Sequence, residues 1–117
     1  MEAINIGPKM NRTEARFAAY LDLRVKAGEI QSWWFEAITI RIGVKCFWKP
    51  DFLVQGIDNS LTLYDTKGTR SKKHGGGTAP LAKDDAVVKA RAISDKFPIP
   101  VYFVWQERNG EWARKRM

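Results

Sequence analysis

The run Val101-Tyr102-Phe103-Val104-Trp105 is apolar at every position, with Pro98 and Pro100 before it and Asn109-Gly110 after it. A strand without a polar face must be covered on both sides, so it belongs inside a sheet with elements packed above and below. The preceding segment, about 80–96, carries Ala86, Ala90, Ile93 and Phe97 on one helical face, and Pro80 suits its first turn. A helix feeding a buried strand implies a right-handed crossover, which sets 101–105 parallel to the strand ahead of that helix. Asn109-Gly110 is a hairpin signal that returns the chain through Glu111-Trp112-Ala113.

The N-terminal half alternates between the two hydrophobic periods. Asn11 with Glu14 three residues on fits a capping box, and Gly28 supplies a left-handed stop. Phe17, Leu21 and Val25 form an apolar stripe between them, which predicts a helix over about 12–27. In 36–42 the isoleucines 38, 40 and 42 alternate with smaller or polar residues, as a half-buried strand requires. Phe47-Trp48 and Phe52-Leu53-Val54 read as a second strand interrupted by Pro50, and 61–67 as a third after the turn 56–60. Connections this short allow only antiparallel pairing, so these three strands are expected to form a meander. The expected order is α-β-β-β-α-β-β, one α/β domain over 1–117 with a mixed central sheet flanked by helices.

Trp33, Trp34 and Phe35 precede this meander and suit core or subunit contacts, and Cys46 suits a small buried hydrophobe. One cysteine and one histidine, His74, exclude an internal disulfide and a zinc site of the Cys/His kind. The opening residues lack a basic stretch followed by an apolar core, and no run of about 18 apolar residues occurs. A soluble, cytoplasmic protein without membrane contact is expected.

The net charge of +7 is unevenly distributed. Residues 1–65 hold eight basic and eight acidic side chains, so 66–117 carry the whole excess. Much of it falls at Lys67, Arg70, Lys72 and Lys73, and then at Arg108 and the basic tail 114–117. Such asymmetry suits a polyanionic partner, because cations that neutralise phosphates release condensed counterions. Residues 68–79, with Gly75-Gly76-Gly77 near the end, have little to bury and are expected to form a long mobile basic loop.

Asp65 and Lys67 lie two apart on one strand and therefore leave the same face, in a row begun by Leu61 and Leu63. Asp51 follows Pro50 on the neighbouring strand. A carboxylate ending an apolar row needs a partner, either a divalent cation shared by Asp51 and Asp65 or the ammonium of Lys67. Hard oxygen ligands suit Mg²⁺ or Mn²⁺, and a nearby lysine can position water or meet charge developing on a phosphate.

Lys49-Pro50-Asp51, a hairpin, and then Asp65-Thr66-Lys67 resemble the signature of the PD-(D/E)XK nuclease superfamily. The element order is also similar to that superfamily's restriction-endonuclease-like core, and 11–105 resembles its small phage-encoded members. The resemblance implies a metal-dependent DNA endonuclease in the host cytoplasm, with branched DNA in phage DNA processing or recombination as its substrate. It assigns catalysis to Asp51, Asp65 and Lys67, and metal ligation to Asp51, Asp65 and Glu14. Glu14 has a second reading as the capping-box carboxylate. Asp65 departs from the commoner glutamate and is one methylene shorter.

DNA contacts are expected from Arg70, Lys72 and Lys73, and from Lys83 on the second helix, whereas Lys89 suits solvated surface. Asp84 and Asp85 suit the positive end of that helix. A homodimer would suit cutting both strands. The competing functions are a catalytically inactive nucleic-acid-binding module with the nuclease fold, and a protein-binding factor whose charge is incidental.

Overall fold

The computed structural model describes residues 9–71 and 78–117, without the side chains of Arg70 and Ser71. Helix α1 (Arg12–Lys26) is followed by strands β1 (Ile30–Phe35), β2 (Ile40–Gly43), β3 (Cys46–Trp48), β4 (Phe52–Gly56), β5 (Leu61–Thr66), β6 (Thr69–Ser71) and β7 (Thr78–Pro80). Helix α2 (Asp84–Lys96) and strands β8 (Val101–Gln106) and β9 (Trp112–Arg116) complete the chain. The fold is mixed α/β, built on a five-stranded sheet in the order β1-β4-β5-β8-β9. All its pairs are antiparallel except β5 with β8, as the buried run after a helix predicts. The hairpin at Asn109-Gly110 joins β8 to β9, with Gly110 at φ 89°, a conformation glycine adopts freely.

The helices cover opposite faces. Beneath α1, Phe17, Ala18 and Leu21 pack with Phe52, Val54, Tyr64 and Val104. Beneath α2, Ala90 and Ile93 pack with Leu63, Val101 and Phe103, and Trp48 joins them. The α1 terminus is capped as expected: the Glu14 amide donates to Asn11 Oδ1 at 2.8 Å, and the Asn11 amide to Glu14 Oε1 at 2.7 Å.

The expected meander is wrong in its first strand. The isoleucine repeat yields a regular strand only over Ile40–Gly43, paired with Cys46–Trp48 in a separate two-stranded sheet. Its isoleucines are satisfied by packing on the α2-side core rather than by joining the main sheet. The outer strand is instead β1, paired with β4. Its alternation is real, since Trp33 and Phe35 pack inward while Trp34 is 43% exposed. Three adjacent aromatics and a bulge between Ile30 and Ser32 hide that alternation in the sequence. Pro50, fully buried, separates β3 from β4.

Helix α2 begins at Asp84 rather than Pro80. Pro80 ends β7, opposite Thr69, and the next amide, Leu81, donates to Gly68 O at 2.8 Å. Both ends of the expected 68–79 loop are thus paired as β6 and β7, while Lys72 and Lys73 lie outside the described residues. Asp84 and Asp85 stand in the first turn of α2, where carboxylates complement the dipole. Cys46 is half-buried rather than buried. No described helix is long and apolar enough to cross a membrane.

Candidate active site

The register of β4 on β5 brings the motif together. Phe52 pairs with Tyr64, so one step outward sets Asp51 beside Asp65. The Asp51 amide donates to Asp65 Oδ1 at 3.2 Å, and the Thr66 amide and hydroxyl donate to Asp51 Oδ2 at 2.8 and 2.9 Å. The two aspartates are therefore cross-tied, each carboxylate held by a donor on the other's strand. Lys67 completes the group, with Nζ 2.7 Å from Asp65 Oδ2 and 4.6 Å from the centre of the Phe103 ring. Asp65 is only 6% exposed, and the Lys67 side chain 13%. A buried carboxylate in direct contact with an ammonium avoids the cost of a lone ion.

Asp51 is held differently. Its carboxyl is pushed up from 3.8 to about 7, first by burial, then by the negative charge of Asp65, with a smaller push from Glu14. The Thr66 bonds oppose these effects without cancelling them. A carboxylate whose ionisation is disfavoured by a neighbouring carboxylate is stabilised by any cation placed between them. The backbone is also set for this position. Glu36 closes β1 at φ 49°, unusual for a non-glycine residue, and its amide donates to Asp51 O at 2.8 Å.

Among the described residues, no group of three or more His, Cys, Asp or Glu side chains comes together as a metal centre. Two carboxylates still suit Mg²⁺, which binds through one or two of them and keeps several waters. Asp51 and Asp65 are the residues that could hold it. Glu14 turns back to the Asn11 amide as a cap, yet its charge still reaches Asp51.

Through Lys67 the group borders a cleft of about 480 Å³ at the carboxyl ends of the parallel strands β5 and β8, while Asp51 and Asp65 lie behind its wall. Lys67, Gly68 and Thr69 form one wall, Thr13 and Arg16 of α1 another, and Gln106 to Arg108 a third. Glu107 on that wall accepts hydrogen bonds from the Thr78 hydroxyl and from Trp105 Nε1. Of the other expected DNA contacts, Arg70 lies on β6, and Lys83, the exposed residue preceding α2, does not line this cleft. Lys89 pairs with Asp85 at 3.3 Å, as a surface residue would.

Thr66, Phe103 and Arg16 were missed as site residues. Thr66 sits inside the motif, but only the strand register reveals that it holds Asp51. Phe103 is indistinguishable in sequence from any residue of its apolar run. Arg16 is one of several basic residues on α1, and only the position of the β8–β9 hairpin singles it out. Comparisons with protein-family models, curated proteins and solved structures find no match for this chain.

Proposed function

We propose that this chain is a Mg²⁺-dependent deoxyribonuclease that hydrolyses phosphodiester bonds in branched DNA. The observation that carries the proposal is the Asp51–Asp65–Lys67 group, two cross-tied carboxylates joined to a lysine that lines a cleft. A mixed sheet with a helix on each face and the pair β5–β8 at its centre supports a restriction-endonuclease-like fold. The basic excess after residue 65 supports a polyanionic substrate.

Asp51 and Asp65 would hold the ion, and Glu14, whose charge reaches Asp51, would act on it through water. When bound, Mg²⁺ supplies an acidified water and draws charge from a non-bridging phosphate oxygen. Lys67 Nζ, at the cleft wall, donates to the phosphate or the attacking water; metal binding would leave it free of Asp65 to do so. Thr66 and the Asp51 amide keep both carboxylates oriented throughout. The basic residues Arg70, Lys72, Lys73 and Lys83 would meet phosphates farther along the duplex.

A catalytically inactive DNA-binding module has one observation in its favour: the Lys67–Asp65 contact neutralises Asp65 without any ion. Cleavage assays on linear, forked and four-way DNA in Mg²⁺, Mn²⁺ and EDTA separate the two. A nuclease is expected to cut in Mg²⁺ and Mn²⁺ and to be silent in EDTA. Asp65→Asn should abolish cutting while leaving DNA affinity within about twofold, since it changes charge and almost no volume. Cutting that persists in EDTA or in Asp65→Asn would refute the assignment.

A further inference from the structure

The cleft beside Lys67 does not end there. It shares Arg16, Gln106 and Gly110 with a second hollow of about 580 Å³, lined by Ala19, Tyr20, Leu23 and Trp112. That hollow shares Tyr20 and Trp112 with a third, reaching Arg24 and Arg114. Together they form one groove between α1 and the β8–β9 hairpin. Arg16, Tyr20 and Arg24 line it at intervals of four, the spacing that stacks side chains along one helix face.

Cation and aromatic surface alternate along this groove. Arg16 and Lys67 stand at its head, Tyr20 and Trp112 in its middle, with ring centres 6.2 Å apart, and Arg24 and Arg114 at its end. Three carboxylates also touch it. Glu107 is engaged by Thr78 and Trp105, Glu29 lies 3.7 Å from Arg24, and Glu111 is exposed on the rim. Basic groups that track a backbone, with aromatic rings between them, are what an unpaired strand needs. A duplex has its base faces stacked internally and cannot use the rings.

We propose that this groove binds a single-stranded DNA segment continuous with the strand being cut, phosphates on Arg16 and a base on Tyr20 and Trp112. The inference rests on the nuclease reading for its direction, since the segment leaves the reacting phosphate at Lys67. It narrows the branched substrate to one with an unpaired arm, such as a fork or flap.

The test is anisotropy of labelled oligothymidylate of about ten nucleotides, against a duplex of equal length, in EDTA across a salt series. The single strand should bind at least about fivefold tighter. Arg16→Ala, at an exposed position, should weaken it and lower the salt slope by roughly 0.7, the value for one phosphate on a single strand. Tyr20→Leu keeps apolar bulk but removes the ring, and should weaken binding fivefold or more, as one lost base stack implies. Equal affinity for both DNAs, or parental affinity and slope in both variants, would overturn the groove. Cleavage of a forked substrate in Mn²⁺ by the parent chain is scored separately. Cutting with parental oligonucleotide affinity in both variants sinks the groove and leaves the nuclease. Groove-dependent binding without cutting in the parent sinks the nuclease and leaves a single-strand-binding groove.

Discussion

The two faces of the sheet are built from different materials. Under α1 the core is aromatic, with Phe17 edge-on to Phe52 at 5.1 Å and to Trp112 at 5.0 Å, and 5.5 Å from Tyr64. Under α2 the helix contributes only Ala90 and Ile93 as buried residues, set onto Leu63 and Val101 with the buried rings of Phe103 and Trp48 beside them. The ionisable pair sits on this second face, where β5 runs from buried Leu63 to Asp65 and on to Lys67. Interlocked rings have few low-energy arrangements, so they fix the angle of α1 on the sheet. Small and aliphatic residues let α2 lie close and leave the end of β5 to the charged row. The aromatic packing and the ionisable pair thus lie on opposite sides of the same strand.

That division is most directly broken at Phe17, which contacts four other rings. Phe17→Ala should lower unfolding free energy by about 3–5 kcal/mol, the usual cost of truncating a buried phenylalanine. Denaturant titration measures it. A loss below about 1 kcal/mol would mean that the aromatic face is not the main anchor of α1.

The next effect belongs to the charged end. Asp51 ionises at about 7 in the fold against 3.8 when free, so the folded form holds more protons between those values. Without metal, the contribution of Asp51 to stability is full below about pH 4, falls as pH rises, and is lost above about pH 7. The fall should be on the order of a few kcal/mol, by the free energy of a pKa shift of this kind. Melting followed from pH 5 to pH 8 in EDTA tests it. Asp51→Asn should flatten the profile and raise the melting temperature at pH 8, and Mg²⁺ should stabilise the parent there but not the variant. A parent chain that grows more stable across that interval would contradict the arrangement of the two carboxylates.

The parts of this molecule legible in sequence are those that local chemistry determines. Asn11 and Glu14 announce the α1 cap, Asn109-Gly110 the last hairpin, and the unbroken run 101–105 a strand covered on both sides. The pairing of Asp51 with Asp65 was legible because Pro50 and the short turn leave few registers. What failed were choices between equivalent partners. Ile38, Ile40 and Ile42 advertise a buried face, but nothing local says whether it meets the main sheet or the α2-side core. Pro80 suits a helix start and a strand end equally, and the amide of Leu81 bonded to Gly68 decides between them. The groove was invisible because Tyr20 and Trp112 look like ordinary core residues until both helix and hairpin are placed.

The smallest expected effect lies where the aromatic face meets the charged end, at Glu14. Its carboxylate closes the cap of α1 through the Asn11 amide, and its charge adds the weakest of the pushes on Asp51. Glu14→Gln separates these roles, because glutamine retains the oxygen that a capping box uses but carries no charge. The helix loses one favourable charge at its positive end, worth roughly 0.3–1 kcal/mol, while Asp51 gains from the loss of a like charge. These changes oppose each other, so the net change in stability at pH 8 should stay within about 0.5 kcal/mol. Cleavage responds differently if Glu14 acts on the ion through water. The Mg²⁺ concentration for half-maximal cutting should then rise several-fold, with the rate at saturating Mg²⁺ nearly restored, unlike the complete loss expected for Asp65→Asn. A Glu14→Gln variant with the parental Mg²⁺ requirement makes this carboxylate a helix cap alone and leaves the ion to Asp51 and Asp65.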